Sequence, residues 1–361
     1  MEDIDRIDFR NNPPERVHAL LVEHGFSAQR IQNFKNALRT RRISSLGELK
    51  GVKNLEPLLP FLPFRTLVQV VNRTDGEGNH KFVFSTDDDH LIESVLMESK
   101  REVSLCISVQ AGCRFRCRFC RTGSMGLKRN LLPFELLEQV RQIYLDSIHP
   151  GRLSCITFMG MGEPFDNLKC CRIAFDWMRT DWGWSVGAKK ITFSTIGELN
   201  WDDFFRFESL PNLAVSLHSA NQEKRRFLMP GASIQLETLR EHMIRYTERT
   251  NKQISIEYCL FEGVNDSRSD ARKLAGYLRG LPCKVNLLNY NPVDVKNFRP
   301  VSEVRIEEFK FWLKQEGSRL EGSMRAESRL EGCSRESFPV IYRKSRGVGI
   351  GAGCGQLGTG V

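Results

Sequence analysis

Three cysteines stand within eight residues, Cys113, Cys117 and Cys120, in the stretch GCRFRCRFCRTGSMG. Thiolates at this spacing can wrap one face of an iron–sulfur cubane, because soft sulfur ligands suit such centres. Only three ligands are supplied, so one iron of a 4Fe–4S cluster stays open. An open iron can take the amino and carboxylate groups of S-adenosylmethionine (SAM) and pass it an electron. A zinc site would want a fourth protein ligand nearby, and the nearest histidine, His90, is far off in sequence. The chain holds 11 cysteines, an odd number, and their clustering points to metal or redox chemistry rather than a disulfide framework.

A second constellation is the run Phe158-Met159-Gly160-Met161-Gly162-Glu163-Pro164. Its glycines let backbone approach a ligand closely, and Glu163 can take an ammonium such as that of SAM. Ser194 in TFSTIG, Ser216-Leu217-His218 in AVSLHS, and Asn291 in NYNP each close a later apolar run. Polar groups of this kind, converging on one mouth, suit a ribose, an adenine edge and a carboxylate. Two outlying thiols complete the set. Cys106 lies seven residues before Cys113, and Cys354 sits in AGCGQL, seven residues from the C-terminus. A thiol on a flexible loop can swing toward a reactive centre, and a thiolate is a nucleophile. By residue type alone each reads equally as an inert thiol. Cys155, Cys170, Cys171, Cys259, Cys283 and Cys333 read as structural or incidental.

The elements that must position these groups are legible from periodicity. Residues 1–70 read as a small basic helical module, with apolar residues at three- and four-residue intervals after Pro13–Pro14 and after Gly25–Phe26. Such a module either grips RNA or presents an ordinary charged face on a capping domain, and the pattern does not choose. Over 71–98, strands alternate with Gly- and Asp-containing turns, a β extension. Over 99–316, SLCISVQ, CITFMGMGEP, KKITFSTIG, NLAVSLHS, ISIEYCLF and KVNLLNYNP alternate with helical stretches. Six strand–helix units imply an α/β fold with a parallel, barrel-like sheet and active groups at the strands' C-terminal ends. A helix, VRIEEFKFWLKQEG, precedes 317–338, where the repeated SRLEG and small polar residues predict an insertion loop. Residues 339–361 form a C-terminal strand and a Gly-rich loop carrying Cys354.

Composition sets the outer bounds. The 361 residues are 40% hydrophobic with mean hydropathy -0.35, ample for one large domain and a smaller one. No apolar run approaches the length of a membrane-spanning helix, and the charged N-terminus lacks a secretory pattern, so a cytoplasmic protein without membrane partner is expected. Lys plus Arg number 53 against 44 Asp plus Glu, a formal charge of +9, which favours polyanionic partners, nucleic acid above all.

Taken in order, LCISVQAGCRFRCRFCRTGSMGLKRNL, FMGMGEP, STIG, SLHS, MPG, GVND, NLLNYNP and CGQL resemble the RlmN/Cfr family of radical SAM adenine methyltransferases. The resemblance spans nearly the whole chain and implies a partial (β/α)6 radical SAM barrel. Phe119 resembles the aromatic beside the last cluster ligand of such enzymes. It implies a ping-pong reaction on adenine in 23S rRNA, with tRNA as a second substrate, using two SAM molecules per turnover. One SAM would methylate Cys354. The second, cleaved reductively at the cluster, would generate a radical that takes a hydrogen from the S-methyl group. The carbon radical adds to adenine, and Cys106 then forms a transient disulfide with Cys354 that releases the methylated base. Glu93, thirteen residues before Cys106, matches the family's proton acceptor, although a lone strand glutamate is more often a solvated side chain. A flavodoxin- or ferredoxin-type electron donor is implied as partner. C2 of adenine is the expected position, with C8, or another RNA target, as the alternative. The chain departs from the family just ahead of Cys354, where Gly347 to Gly353 replace the usual acidic residues, and in the repeat-bearing segment.

Overall fold

A computed structural model describes residues 8–41, 43–49, 52, 55–99, 102–147, 153–293, 298–327 and 338–359. The N-terminal module contains α1 (Pro14–Glu23) and α2 (Ala28–Thr40). Pro14 occupies the first turn of α1, where its missing N–H is no loss, and the Ser27 hydroxyl accepts from Arg30 N to cap α2. Their apolar faces bury Val17, Leu21, Phe34 and Leu38 together with Phe9.

Next comes an antiparallel meander, β1 (Val68–Thr74), β2 (Asn79–Ser85) and β3 (Leu91–Glu98), followed by β4 (Val103–Cys106) antiparallel to β3. A short ribbon of β5 (Gln110–Gly112) and β6 (Leu127–Asn130) brackets the cysteine loop and α3 (Arg121–Met125). Then strand and helix alternate: α4 (Pro133–Ser147), β7 (Leu153–Phe158), α5 (Leu168–Arg179), β8 (Ile191–Thr195), α6 (Trp201–Phe205) and β9 (Asn212–Ser216). The alternation continues through α7 (Gln222–Leu228), α8 (Leu236–Thr250), β10 (Ile254–Leu260), α9 (Arg268–Leu278), β11 (Cys283–Asn289), α10 (Glu303–Glu327) and β12 (Val340–Tyr342).

All but the ribbon join one ten-stranded sheet ordered β1-β2-β3-β4-β7-β8-β9-β10-β11-β12, parallel from β4 onward. The six expected parallel strands are present, and β12 adds a seventh beside β11. Parallel strands covered on both faces read as near-continuous apolar runs, and β10 accordingly buries Ile254, Ile256, Tyr258 and Leu260.

Two expectations are revised. Residues 317–327 belong to α10 rather than to an insertion loop; 328–337, with Cys333, lie outside the described residues. The repeat is polar, but Arg, Leu, Glu, Met and Ala are good helix formers, and two glycines do not outweigh them. The basic N-terminal module also spends part of its charge on the barrel. Arg10 is buried between Asp8 and Glu138 of α4, Lys35 pairs with Asp181 at 2.8 Å, and Arg39 donates to the Gly183 carbonyl. Trp177 of α5 donates to the Asn12 carbonyl at 2.8 Å and packs edge-on against Phe9. These contacts fasten the module to the barrel. Among the described residues no helix is long and apolar enough to cross a membrane.

Candidate active site

The cysteine loop leaves β4 at the C-terminal edge of the sheet and is pinned at both flanks. Cys113 N donates to Gly126 O, Arg118 N to Leu228 O, and Gly231 N to Phe115 O, at 2.9–3.1 Å. Cys113, Cys117 and Cys120 are free, half-buried thiols. Burial pushes all three up, and each of Cys113 and Cys117 is raised further by the other sulfurs and by Glu163. The backbone of Phe115 faces the Cys113 sulfur, and the amides of Thr122 and Gly123 face that of Cys120. Such N–H groups stabilise a metal-bound thiolate.

The MGMGEP turn lies against the start of this loop. Gly160 N donates to Ile107 O, Met161 N to Ser108 Oγ, and Glu163 N to Gln110 Oε1. Gly162 has φ +98°, and a Cβ there would stand 2.5 Å from Gln110 Cβ, so only glycine closes the turn. The Glu163 carboxylate accepts from Phe165 N and Ile196 N. Burial raises its pKa to about 7, against the pull of Thr195 and those amides. An arriving ammonium would hold it ionised.

His218, with φ 53°, is buried beyond β9, and its Nδ1 accepts from Cys259 N at 3.0 Å. The ring proton therefore sits on Nε2. Burial, then the Arg225 charge, lowers its pKa to about 3, so the imidazole is neutral. Phe119 meets it edge-on at 4.9 Å. Asn265, from the GVND run, braces this corner by donating to both the His218 and Cys259 carbonyls at 2.7 Å. Ser194 and Ser216 are half-buried at strand ends, and Leu217 is buried, its amide bonded to Glu257 O.

The C-terminal loop docks directly on the cysteine loop. Arg121 N donates to Gly355 O at 2.8 Å, and Thr122 donates to the Leu357 carbonyl. Gly355, at φ +80°, has no side chain to separate it from the Phe119 carbonyl, which would lie 3.1 Å from a Cβ. Asn291 Nδ2 donates to the Cys354 carbonyl at 3.1 Å, so Asn291 holds the loop that bears this thiol. Cys354 is solvent-exposed, yet it has Glu257, Arg343 and Cys120 as neighbours. Burial among its neighbours raises its pKa, with Glu257 adding to the rise, Arg343 opposing it, and Cys120 adding again. Cys106 is buried with Met161 and Leu357, against Ala352, Met125 and Met159. Its pKa is pushed to about 12 by burial, with the Thr157 hydroxyl opposing and Cys354 among the charges that raise it. Cys106, Cys120 and Cys354 thus share one locality. No disulfide joins the described cysteines, which are all free.

Glu93 is fully buried rather than solvated. Its Oε1 lies 3.2 Å from Lys81 Nζ but outside hydrogen-bond geometry, and its Oε2 accepts from Gly358 N at 3.1 Å. Three polar residues went unread in the sequence. Glu257 is buried in the middle of β10, accepts from Asn286 Nδ2 at 2.7 Å, and is near Cys354. Cys259, taken as incidental, also lies near Cys354. Arg225 is fully buried close to Cys117 and His218, with Nε and Nη1 unpartnered. For Glu257 a charged residue inside an apolar strand was an available signal; Arg225, in a basic helical run, offered none.

Residues 107–275 match the radical SAM superfamily. A probable dual-specificity RNA methyltransferase RlmN of Staphylococcus carnosus is 34% identical over 99% of this chain and 94% of its own length. The dual-specificity RNA methyltransferase RlmN of Syntrophobacter fumaroxidans is 37% identical over 78% of this chain and 77% of its own. A solved radical SAM methyltransferase from Sphaerobacter thermophilus aligns with TM-score 0.85 at 32% identity, covering 97% of this chain and 99% of that one. Fold and cysteine loop together define a radical SAM enzyme. The chain belongs to the RlmN/Cfr-type family of radical SAM methyltransferases.

That class implies a 4Fe–4S cluster and SAM, and the residues present fit both. Three thiols come from one loop, Cys120 raising both of the others, with amides directed at sulfur, and Glu163 offers a buried carboxylate near Cys113 and Cys117. Among the described residues no three His, Cys, Asp or Glu side chains converge closely enough to chelate a single ion. The wider corners of a cubane suit the cysteines better.

Proposed function

We propose that this enzyme methylates C2 of an adenine in RNA, relaying the methyl group through Cys354. The substrate class follows the relatives from S. carnosus and S. fumaroxidans, a probable and a named RNA methyltransferase. Within that class the sequence motifs imply 23S rRNA, with tRNA second. An aromatic C–H carbon is too weak a nucleophile to displace a methyl group from a sulfonium, so the methyl must first be carried on a better one. When bound, the cluster and two SAM molecules supply one methyl group and, with one electron from a flavodoxin- or ferredoxin-type donor, the removal of one hydrogen atom.

Cys113, Cys117 and Cys120 hold the cluster. Gly162 and Glu163 receive the ammonium of SAM, and Ser194, Ser216, Leu217 and neutral His218 offer hydrogen-bonding groups to the rest of it. Cys354 accepts the methyl group through its sulfur. After that methyl loses a hydrogen atom, its carbon bonds to C2 of adenine; Glu93 takes the proton from C2, and the adduct gives up its unpaired electron, which would go back to the centre that supplied the first, so that the ring is restored. Cys106, as thiolate, attacks the Cys354 sulfur; the carbon–sulfur bond breaks, its electron pair stays on the departing CH2 carbon, which takes a proton from water, and the methylated base leaves as the disulfide forms. Two electrons from outside then return both thiols.

The observation that carries this reading is the seating of the Cys354 loop on the cluster loop, through Arg121 N and Gly355 O, with Cys106 packed under the same tail. Reduced, reconstituted enzyme with SAM and an rRNA fragment should yield 2-methyladenosine, resolved from 8-methyladenosine by nucleoside mass spectrometry. The 8-methyl isomer would overturn the ring position. No methylated nucleoside from enzyme with an intact cluster would overturn the activity. Intact-mass analysis should find one added methyl on the protein, absent in Cys354→Ala.

A further inference from the structure

The cysteine loop carries four arginines in eight residues, Arg114, Arg116, Arg118 and Arg121, interleaved with the metal-binding thiols. Cluster chemistry assigns them nothing. Arg114 is neutralised by Asp166. Arg116 is exposed, its side chain makes no ion pair or hydrogen bond, and its backbone holds φ 52°, a conformation that glycine would adopt more readily. Arg118 is exposed and stacks its guanidinium 4.7 Å above the ring of Phe227. Phe227 is itself 45% exposed, an unusual state for a large aromatic, with only the edge-on Phe298 as aromatic neighbour. Arg226, next to it, is exposed as well.

We propose that Arg116, Arg118 and Phe227 form the docking surface for the RNA strand flanking the target adenine. The arginines would take backbone phosphates, and Phe227 would stack an unpaired base. This deepens the reading of RNA as substrate and rests on it. Charge complementarity is one argument, since free guanidiniums on one loop suit a phosphate chain. The exposed ring is the second, since aromatic platforms beside basic grooves bind single-stranded nucleic acid without sequence preference. Position is the third: the same loop carries the Cys354 segment through the Arg121–Gly355 bond, so a strand held here delivers its neighbouring nucleotide to the exposed thiol. An acidic electron-donor protein would also be drawn to the arginines. It has less use for a part-exposed phenyl ring, and it becomes the competing outcome of the test.

The test uses cluster-loaded enzyme, a fluorescein-labelled rRNA hairpin bearing an unpaired adenine, and a salt series. Arg116→Gly suits the backbone at that position, and visible absorption reports whether each variant keeps its cluster. Arg116→Gly/Arg118→Gln should weaken binding at least tenfold and lower the log–log salt slope by about 1.4 to 1.8, since each phosphate contact contributes roughly 0.7–0.9. Phe227→Ser, outside the cysteine loop, should weaken binding several-fold with the slope unchanged. Unchanged RNA affinity in all variants overturns the surface. So does unchanged affinity combined with slower reduction by a flavodoxin-type donor, which would give the patch to that protein. Wild-type enzyme that methylates RNA while the variants bind normally removes this proposal alone; wild-type enzyme that does not methylate RNA removes the substrate reading beneath it.

Discussion

Cys354 and Cys106 carry the same thiol in opposite surroundings. Cys106 is buried among methionines and Leu357, and its pKa of about 12 leaves it protonated at neutral pH. Cys354 is exposed. Both thiols are raised above the ordinary value, so reach decides between them: iodoacetamide at pH 8 should alkylate exposed Cys354 in cluster-loaded enzyme and spare buried Cys106, as read by peptide mapping. Equal labelling would contradict the burial described for Cys106. The same contrast requires something to deprotonate Cys106 before it can act. Glu163 makes a second case. Its pKa near 7 is raised by burial, so the carboxylate is present above that value and lost below it. If it binds the ammonium of SAM, affinity should fall as pH drops through about 7. Glu163→Gln should weaken SAM about tenfold or more, the loss of a charged hydrogen bond of ~1.5–3 kcal/mol, and flatten that profile by calorimetry. His218 titrates far lower, so it adds no inflection near neutrality. The cysteine triad and Glu163 were legible because their signal is local. Glu257 showed only as a charge inside an apolar strand, and Arg225 not at all, because a buried charge in a basic helical run announces itself only through neighbours brought from distant strands.

The strand-end turns show how backbone, as much as side chains, sets the site. Gly162 lets MGMGEP lie on β5, where Gln110 and Glu163 N are bonded. Gly162→Ala adds a methyl 2.5 Å from Gln110 Cβ at φ +98° and must push the turn off the ribbon that brackets the cysteine loop. A cost of about 1–3 kcal/mol for overpacking, with more for the strained φ, is expected. A lower Tm together with substoichiometric iron would be its signature, and full iron content would show that the ribbon is not needed to hold the loop. The parallel strands were legible as apolar runs closing on polar residues. α10 was misread beyond residue 317 because low complexity was weighed over helix propensity. The role of the N-terminal helices stayed open in the sequence, since whether Arg10 and Lys35 face solvent or Glu138 and Asp181 depends on docking alone.

Across the molecule, the C-terminal tail meets the meander beside the barrel. The meander β1–β3 extends the sheet beyond β4, and the C-terminal tail crosses back to it: Arg346 donates to the Glu98 carbonyl, and Gly358 N to Glu93. Glu93 is therefore both a strut of the tail and the nearest reading of a proton acceptor, and these roles separate experimentally. Glu93→Gln keeps an acceptor for Gly358 N but leaves Lys81, only 4% exposed, without its counter-charge, which should cost about 3–5 kcal/mol. Replacing Lys81 by Met as well removes the unpaired cation, and neutralising both members of a buried pair is often nearly neutral for stability. The double variant Lys81→Met/Glu93→Gln should thus recover most of the Tm lost in Glu93→Gln and seat the tail normally. It should load methyl on Cys354, seen by intact mass, and still yield 5′-deoxyadenosine, yet release little methyladenosine, because the free lone pairs of a carboxylate are gone. Recovery of methyladenosine along with the Tm would make Glu93 a strut only, and the proton would need another acceptor, with buried Glu257 beside Cys354 the next to test.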